Sequence, residues 1–339
     1  MSSETTHPRT NGSAATYRTE HEIDRNATDE SSRSPLVSVV ITTYNRPSYL
    51  RDAVESVFEQ RYEAIELIVV DDHSETDTRA AIAALDVSSL TEFQYIRHDE
   101  NRGANAARNT GIEAATGEYV AFLDDDDRWV PGKIDRHVEA FETAGSDVGV
   151  VYTGIEAIRP EGRVIEIPPP IEGDMTKALL CRNVVGTMSV VMVRTDVAND
   201  VPLDEAFPAW ADLEWYINLS RRTEFKRLPE PLTVYEFTSH DRLSDDIEKK
   251  LRAYELFVDR FDSLAASYGR LFRRKMRGWA AYRAGNAALM AGRYDRARRF
   301  FATALVSYPF EPTFATHFLA STGGHVTHGL ARWIRRVTT

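Results

Sequence analysis

Residues 124–127 are four consecutive aspartates that follow directly on an apolar segment, residues 121–123. Four anions at the end of a strand repel one another, and each disfavours ionisation of its neighbours. A hard divalent cation relieves this repulsion, because Mg2+ and Mn2+ take carboxylate oxygens as ligands and share them with substrate phosphates. By itself the run also fits a solvated loop or a helix N-terminus, where acidic side chains are favoured. The segments upstream distinguish these interpretations.

The chain upstream and downstream of the aspartates predicts an α/β sheet. Apolar runs rich in β-branched residues predict strands at 37–41, 67–70, 93–97, 119–123, 148–152 and 232–237. Amphipathic or Ala-rich runs predict helices near 48–58, 76–85, 104–115, 133–143 and 211–221. Strands that alternate with helices form a mostly parallel sheet, whose functional loops lie at the carboxyl ends of the strands.

Polar side chains that suit a nucleotide follow three of these strands. The first strand is followed by TTYNR at 42–46, the second by DDHS at 71–74 and the fourth by the four aspartates. In a parallel sheet these strand ends share one crevice. Gly103 opens the helix after the third strand, where backbone amides and the helix dipole favour anions, and Arg108 lies one turn further on. Their joint spacing predicts a phosphate-binding crevice.

Length and charge limit the remaining possibilities. The 339 residues can form one domain of roughly 200–250 residues with a smaller one attached. The net charge of −11 divides into −21 for residues 1–245 and +10 for residues 246–339, so the main domain is unsuited to nucleic acid. No apolar run approaches the roughly 20 residues that span a bilayer. The polar first 30 residues lack the apolar core of a signal peptide and are expected to be disordered.

Beyond residue 245 the pattern is entirely helical. Gly285, Gly292, Ala297 and Phe301 have spacings that resemble one tetratricopeptide repeat, in which small residues let two helices approach closely. The last segment combines apolar side chains with arginines, which fits either a helix on a membrane surface or a terminal cap on the repeat. Its residues are Phe314, Phe318, Leu319, Leu330, Arg332, Trp333, Arg335 and Arg336.

Four ordered segments resemble the successive motifs of glycosyltransferase family 2. They are VSVVITTYNR at 37–46, IVVDDHS at 68–74, NRGANAARNTG at 101–111 and GEYVAFLDDDD at 117–127. The resemblance covers about residues 35–240 and implies the GT-A fold, a bound nucleotide-sugar, a divalent metal (Mn2+ or Mg2+) and sugar transfer with inversion. We therefore expect a disordered segment at 1–34, a GT-A domain at 35–245 and a helical extension at 246–339, with the repeat-like helix pair at about 276–309.

The same resemblance implies roles for individual residues. The residues expected to bind the nucleotide-sugar are Thr42, Tyr44, Arg46, Asp71, Asp72, Gly103, Arg108, Asp124 and Asp125. Asp126 is the expected metal ligand, with Asp124 contacting the ribose or the metal. Asp125 stands where many members carry a small polar residue, so the ligand could be shifted by one position. His240 is either a contact of the metal or diphosphate or a satisfied loop histidine.

The expected catalytic base is Asp212, in the segment WADLEW at 210–215. The family pattern usually has an acidic residue directly before this aspartate, whereas this chain has Ala211. Glu214 is the alternative base, unless it merely lies on the helix surface.

The resemblance implies an enzyme that moves a sugar from a UDP or GDP donor to a hydroxyl of an acceptor glycan, with lipid-linked acceptors included. Such an enzyme is expected in the cytoplasm, with peripheral membrane contact through the basic C-terminal helices as a further expectation. A receiver domain is disfavoured because no acid follows the first strand, and a nicotinamide-dependent oxidoreductase because no Gly-x-Gly-x-x-Gly does. A non-catalytic nucleotide-sugar-binding or adaptor protein stays open, because Ala211 departs from the family pattern.

Overall fold

The computed structural model describes residues 34–83, 85–236 and 246–322. Within these ranges the chain forms one sheet of nine strands and eleven α-helices. The strands are β1 (Val37–Thr43), β2 (Ile65–Asp71), β3 (Glu92–Arg97), β4 (Tyr119–Asp124), β5 (Asp127–Trp129), β6 (Val148–Arg159), β7 (Gly162–Glu166), β8 (Val191–Arg194) and β9 (Glu224–Glu236). The helices are α1 (Pro47–Phe58), α2 (Thr78–Ala83), α3 (Ala104–Ala114), α4 (Lys133–Thr143), α5 (Thr176–Cys181), α6 (Thr195–Asp200), α7 (Ala211–Ser220), α8 (Ile247–Ser267), α9 (Arg270–Met290), α10 (Tyr294–Ser307) and α11 (Pro312–Thr322).

The first half of the sheet is parallel, as the alternation of strands and helices predicts. Its strands lie in the order β3-β2-β1-β4, and each neighbouring pair is parallel. In this register Thr42 lies opposite Asp124, and Thr43 lies opposite Asp71. The predicted polar strand ends therefore meet at one edge of the sheet.

The second half of the sheet contains strands that the sequence patterns do not predict. The short β8 is antiparallel to both β4 and β6, so that β4 and β6 run in the same direction. β9 is parallel to β6 and begins at Glu224, eight residues before the predicted strand. β5 pairs antiparallel with β9, and β7 forms a hairpin with β6. Strands of three to five residues carry too little periodicity to be recognised from sequence.

Both faces of the sheet are covered, which explains why its strands are continuously apolar. On one face Val40, Ile68 and Phe122 pack under a core that also includes residues of α5 and α7. On the opposite face Val39 and Leu67 belong to a second core that includes residues of α1 and α4. The sheet is therefore packed between two layers of helices, which leaves its carboxyl edge for the loops that carry the polar residues.

The helical extension packs on the sheet domain through the first of these cores. Asp246 caps α8 by accepting hydrogen bonds from the amides of Glu248 and Lys249. Phe257 and Phe261 of α8 and Ala280 of α9 are buried in the same cluster as Trp215 of α7. The extension therefore lies directly against the helix that carries the predicted base.

The predicted close approach of two helices in the extension is present. A Cβ added to Gly285 of α9 would lie 2.7 Å from a ring carbon of Phe301 of α10. The helix pair spans α9 and α10 and begins at Arg270, six residues before the predicted start. Its resemblance to a tetratricopeptide repeat stays a prediction.

Some expectations lie outside the described residues. These are the disordered N-terminal segment up to residue 33, His240 and the arginines of the final segment. In the part of the chain that the structure describes, none of the helices combines the length and apolarity that a membrane span requires.

Candidate active site

The four aspartates at the end of β4 are neither a solvated loop nor a helix N-terminus. Asp125 and Asp127 are buried, whereas the side chains of Asp124 and Asp126 keep 26% and 15% of their surface exposed toward solvent. Asp127 belongs to β5 and accepts a hydrogen bond of 2.6 Å from the hydroxyl of Ser189. The run therefore divides into two carboxylates with structural partners inside the protein and two that line the crevice.

Arg46, from the loop after β1, neutralises part of this charge. Its guanidinium lies 3.2 Å from Asp125 and 3.2 Å from Asp126. The hydroxyl of Thr43 donates to Asp125 at 2.8 Å. Burial raises the pKa of Asp125 to about 6, although Thr43 and Arg46 both act to lower it. The loop after β1 and the end of β4 thus form one charged cluster.

Arg108 of α3 forms the second ion pair of the crevice. It donates to Asp124 at 2.6 Å, and the hydroxyl of Thr187 donates to the other oxygen of the same carboxylate at 3.1 Å. The backbone amide of Asp124 donates to the hydroxyl of Ser189 at 3.0 Å. Arg108 is therefore fixed above the strand end, between the sheet and α7.

Asp72 has a structural partner that the sequence does not reveal. Its carboxylate accepts from the amides of Arg102 (2.9 Å) and Gly103 (2.7 Å), and His98 lies 2.8 Å away. The anion at the N-terminus of α3 is thus the protein's own carboxylate. Gly103 has φ +91°, which explains the glycine there. The predicted contacts of Asp72 and Gly103 with a donor stay predictions, and the Gly103 amide is already paired.

Asp71 and the residues after β1 build the neighbouring wall. Asp71 accepts from the amide of Ser74 at 2.8 Å and from the hydroxyl of Tyr95 at 2.6 Å. Asn45, with φ 58°, accepts from the amide of Glu75 at 2.7 Å. Thr42 and Tyr44 lie half-buried beside these loops. The sequence patterns predicted no individual role for Asn45, although Asn is common in tight turns because it tolerates the left-handed backbone conformation.

Asp212, the predicted base, lies at the start of α7 and faces the same crevice. The amide of Asn183 donates to it at 2.8 Å. Burial raises the pKa of Asp212, and the negative charge of Asp124 raises it further. The hydrogen bond from Leu213 and the positive charges of Arg108 and Arg283 act to lower the same pKa. The structure therefore brings Asp212 and Asp124 together around Arg108.

Glu214, the alternative base, points elsewhere. Its side chain is 2% exposed and forms an ion pair of 2.6 Å with Arg260 of α8. It also accepts a hydrogen bond of 2.6 Å from the amide of Asn218. These partners make Glu214 a structural link between α7 and α8. Neither Asn183 nor Arg260 was singled out by the sequence patterns, because their contacts exist only in the folded chain.

The residues present are compatible with a divalent cation that is shared with a ligand. Within the described ranges no group of three or more His, Cys, Asp or Glu side chains converges as a complete metal cage. Mg2+-type cations, however, are often held by one or two carboxylates together with substrate phosphates. Asp124 and Asp126 supply such oxygens, and their present counter-charges are Arg108 and Arg46.

The parallel half-sheet, the acidic strand end and the crevice define a GT-A fold, and solved structures support this class. S. aureus TarS in complex with UDP-GlcNAc aligns with a TM-score of 0.55 at 16% identity, covering 80% of this chain and 89% of that one. The mannosyltransferase PcManGT from Pyrobaculum calidifontis, in complex with GDP-Man and Mn2+, aligns with a TM-score of 0.52 at 19% identity. The alignment covers 87% of this chain and 88% of that one. At these identities the likeness shows the fold alone.

The family follows from sequence comparison. Residues 38–198 match the model of glycosyl transferase family 2, so this segment belongs to that family and the resemblance of its motifs is confirmed. An uncharacterized glycosyltransferase of Nostoc is 37% identical over 148 residues, or 42% of this chain and 45% of the relative. A Bacillus subtilis protein described as a putative teichuronic acid biosynthesis glycosyltransferase is 41% identical over 106 residues, which are 31% of this chain and 41% of the relative. The chain thus spans less than half the length of these relatives.

Proposed function

We propose that this protein is a metal-dependent, inverting glycosyltransferase that moves a sugar from a UDP- or GDP-sugar to a hydroxyl of an acceptor glycan. The observation that carries the proposal is the convergence of Asp124 and Asp212 around Arg108 at the carboxyl edge of the sheet. Donor-side and acceptor-side carboxylates face each other there. A non-catalytic binding protein has no need of a half-buried carboxylate with a raised pKa beside the donor crevice.

The donor occupies the crevice between the loops after β1, β2 and β4. Thr42 and Tyr44, which are half-buried, line the side that receives the base and ribose, and the buried Asp71 supports this side through its bonds to Ser74 and Tyr95. Arg46 and Arg108 are the cations nearest the strand end, and both are held by carboxylates. A diphosphate that enters this crevice meets two preoriented guanidiniums, which bind phosphate oxygens in a fixed geometry.

Asp126 and Asp124 would hold a divalent metal together with the diphosphate of the donor. A metal bound there would supply neutralisation of the negative charge on the leaving nucleoside diphosphate. The Mn2+ in the complex of the P. calidifontis mannosyltransferase supports the use of a divalent metal. Arg46 and Arg108 share the same task, because each lies beside one of the two carboxylates and remains positively charged.

Asp212 accepts the proton of the acceptor hydroxyl as that oxygen attacks the anomeric carbon. The C–O bond to the acceptor forms on the face opposite the C–O bond to the diphosphate, which breaks, so one displacement inverts the configuration. Asn183 donates a hydrogen bond to one oxygen of Asp212 and so orients the carboxylate. A raised pKa makes the carboxylate a stronger base than an exposed aspartate. No second nucleophile is required.

The metal-dependent part of the proposal is tested by donor binding. Thermal shifts are measured with UDP- and GDP-sugars, with and without Mn2+, since a ligand that binds the folded state raises the unfolding temperature. Asp126→Ala should remove the Mn2+-dependent increment. The matched control is Asp295→Ala on α10, whose side chain is 83% exposed. An unchanged Mn2+ increment in Asp126→Ala would exclude Asp126 as the ligand.

Transfer itself separates an enzyme from a binding protein. Purified protein is incubated with the donor that gives the largest thermal shift and with candidate acceptor glycans, and release of nucleoside diphosphate is followed. Product that carries the sugar with inverted anomeric configuration is expected. Donor binding without transfer to any acceptor and without donor hydrolysis would favour the non-catalytic alternative.

The acceptor is a surface-glycan precursor, lipid-linked in its carrier form, and the reaction takes place in the cytoplasm at the membrane surface. The teichuronic acid description of the B. subtilis relative supports this. The net charge of +10 on residues 246–339 supports contact with an anionic leaflet, at about 1 kcal/mol for each engaged basic residue. Val306 and Phe310 add apolar side chains that are 76% and 71% exposed.

Co-sedimentation with vesicles that contain anionic lipid tests the membrane contact. Replacing Val306 and Phe310 together by Ser should release the protein from the vesicles, because the exposed apolar surface is lost. Met290→Ser, at another exposed site of the extension, is the control. Equal sedimentation of the double variant and the wild type would contradict the assigned surface.

A further inference from the structure

A half-buried arginine of the helical extension lies beside the predicted base. Arg283 is in α9, and its guanidinium lies 5.0 Å from the ring centre of Trp210 and 5.0 Å from that of Phe257. Its Nη2 donates to the backbone carbonyl of Cys181 at 3.1 Å. In the described part of the chain Nη1 is buried and has no hydrogen-bond partner. Burial lowers the pKa of Arg283 to about 10, while the charge of Asp212 acts to raise it, so the side chain is cationic at neutral pH.

Arg283 contacts both of the segments that determine where Asp212 lies. Cys181 is the last residue of α5, and two residues later Asn183 donates its hydrogen bond to Asp212. Trp210 directly precedes α7, two residues before Asp212. One guanidinium therefore connects the turn that holds the carboxylate with the start of the helix that carries it.

The conformation of Trp210 explains why such a connection is needed. Trp210 has φ 59° and ψ 30°, in the left-handed region that bulky side chains rarely adopt. A residue in this region is strained, and the strain persists only where neighbours restrain it. The indole ring lies against the guanidinium of Arg283, which is an attractive contact between a cation and an aromatic face. Release of that contact would let the start of α7 relax and Asp212 move.

Stability alone does not account for a charge at this position. Burying a cation with one unpaired donor is costly, and an apolar side chain of similar length between two aromatic rings would be neutral or stabilising. The gain from arginine is instead the fixed geometry of its planar group and its charge toward Asp212. The carboxylate is also faced by Arg108 from α3, Asp124 from β4 and Tyr216 from α7. Arg283 is the cation that comes from outside the sheet domain.

We propose that Arg283 is a positioning residue for Asp212, and that the helical extension is consequently an integral part of the active site. Arg283 acts through the Cys181–Asn183 turn and through Trp210, without touching the sugar itself. The proposal rests on the proposed function, in which Asp212 is the base.

Three variants test the proposal kinetically. Arg283→Met keeps the apolar stem and fills the space between the rings, Arg283→Lys also keeps the charge, and Arg277→Met is the matched control on the same helix. Arg277 pairs with Asp262, which Arg273 also contacts, so its loss should leave the site intact. Displacement of a catalytic group by about 1 Å costs about 10²-fold in rate. We expect kcat to fall by about 10- to 10²-fold in Arg283→Met and by less in Arg283→Lys. The donor Kd should stay within about twofold of the wild-type value in both variants, since the residues that bind the donor are unchanged.

Hydrogen–deuterium exchange gives a readout that needs no substrate. Arg283→Met should accelerate exchange in residues 181–186 and 210–214, and Arg277→Met should not. Unchanged exchange in both segments, wild-type kcat in Arg283→Met, or an equal loss of kcat in the Met and Lys variants would overturn the proposal. If the wild-type chain transfers no sugar, the proposed function fails, and exchange alone decides whether Arg283 holds the two segments.

Discussion

Replacing Asp212 by Asn removes a base while keeping its shape. The amide oxygen of the introduced side chain can still accept the hydrogen bond that Asn183 donates to Asp212 at 2.8 Å. The surrounding cations and the fold should therefore tolerate the change. Burial raises the pKa of Asp212, which means that the folded state disfavours its charged form. We accordingly expect the free energy of unfolding at pH 7 to be unchanged or higher in the variant.

The expected catalytic loss is about 10²–10⁴-fold in kcat, the usual contribution of a positioned general base. This equals about 2.7–5.4 kcal/mol of transition-state stabilisation, at 1.36 kcal/mol for each factor of ten. Only the ionised carboxylate accepts a proton, so the wild-type rate should rise with pH to a plateau. The midpoint of that rise should lie above the ordinary aspartate value of 3.8, because the pKa is raised.

Single-turnover transfer with saturating donor is the appropriate assay, because it separates chemistry from product release. Donor Kd is measured in parallel and should hardly change. The matched variant is Glu214→Gln, which weakens the ion pair with Arg260. It should change stability little at pH 7, because burial raises the pKa of Glu214 and the amide oxygen can still accept a hydrogen bond from Arg260, and it should keep kcat. A crippled Glu214→Gln beside an active Asp212→Asn would show that Glu214 is the base.

Two further predictions concern stability. Lys133→Met should raise the free energy of unfolding at pH 7, because burial lowers the pKa of Lys133 well below 10.5, which means that the folded state disfavours its charged form. The wild type should gain stability as pH rises toward 10.5, so denaturant titrations that show a pH-independent difference would contradict this. Gly111→Ala should cost about 1–3 kcal/mol, since its Cβ would lie 2.3 Å from Val40 Cγ1. Gly145→Ala, where a Cβ meets nothing within 4 Å, should not, and equal midpoints for the two variants would refute the argument.

The sequence predicted the part of the fold that depends on local patterns. The apolar strands β1, β2 and β4 are buried on both faces and therefore appear as uninterrupted runs. The Lys133–Thr143 helix agrees with its prediction at both ends. In contrast, β5, β7 and β8 are short and are strands because of their pairing partners, which local patterns do not contain.

For the site, the sequence alone determined that the polar residues after β1, β2 and β4 meet at one edge of the sheet. The reason is that neighbouring parallel strands end on the same side, whatever the conformation of the loops. Only the tertiary structure distinguished the roles of similar carboxylates. Asp72 caps α3, Glu214 pairs with Arg260, and Asp212 faces the crevice, although all three are acidic residues at loops or helix starts. The physical reason is that burial, charge and hydrogen-bond partners come from segments distant in sequence, such as the α9 helix that brings Arg283 to the base.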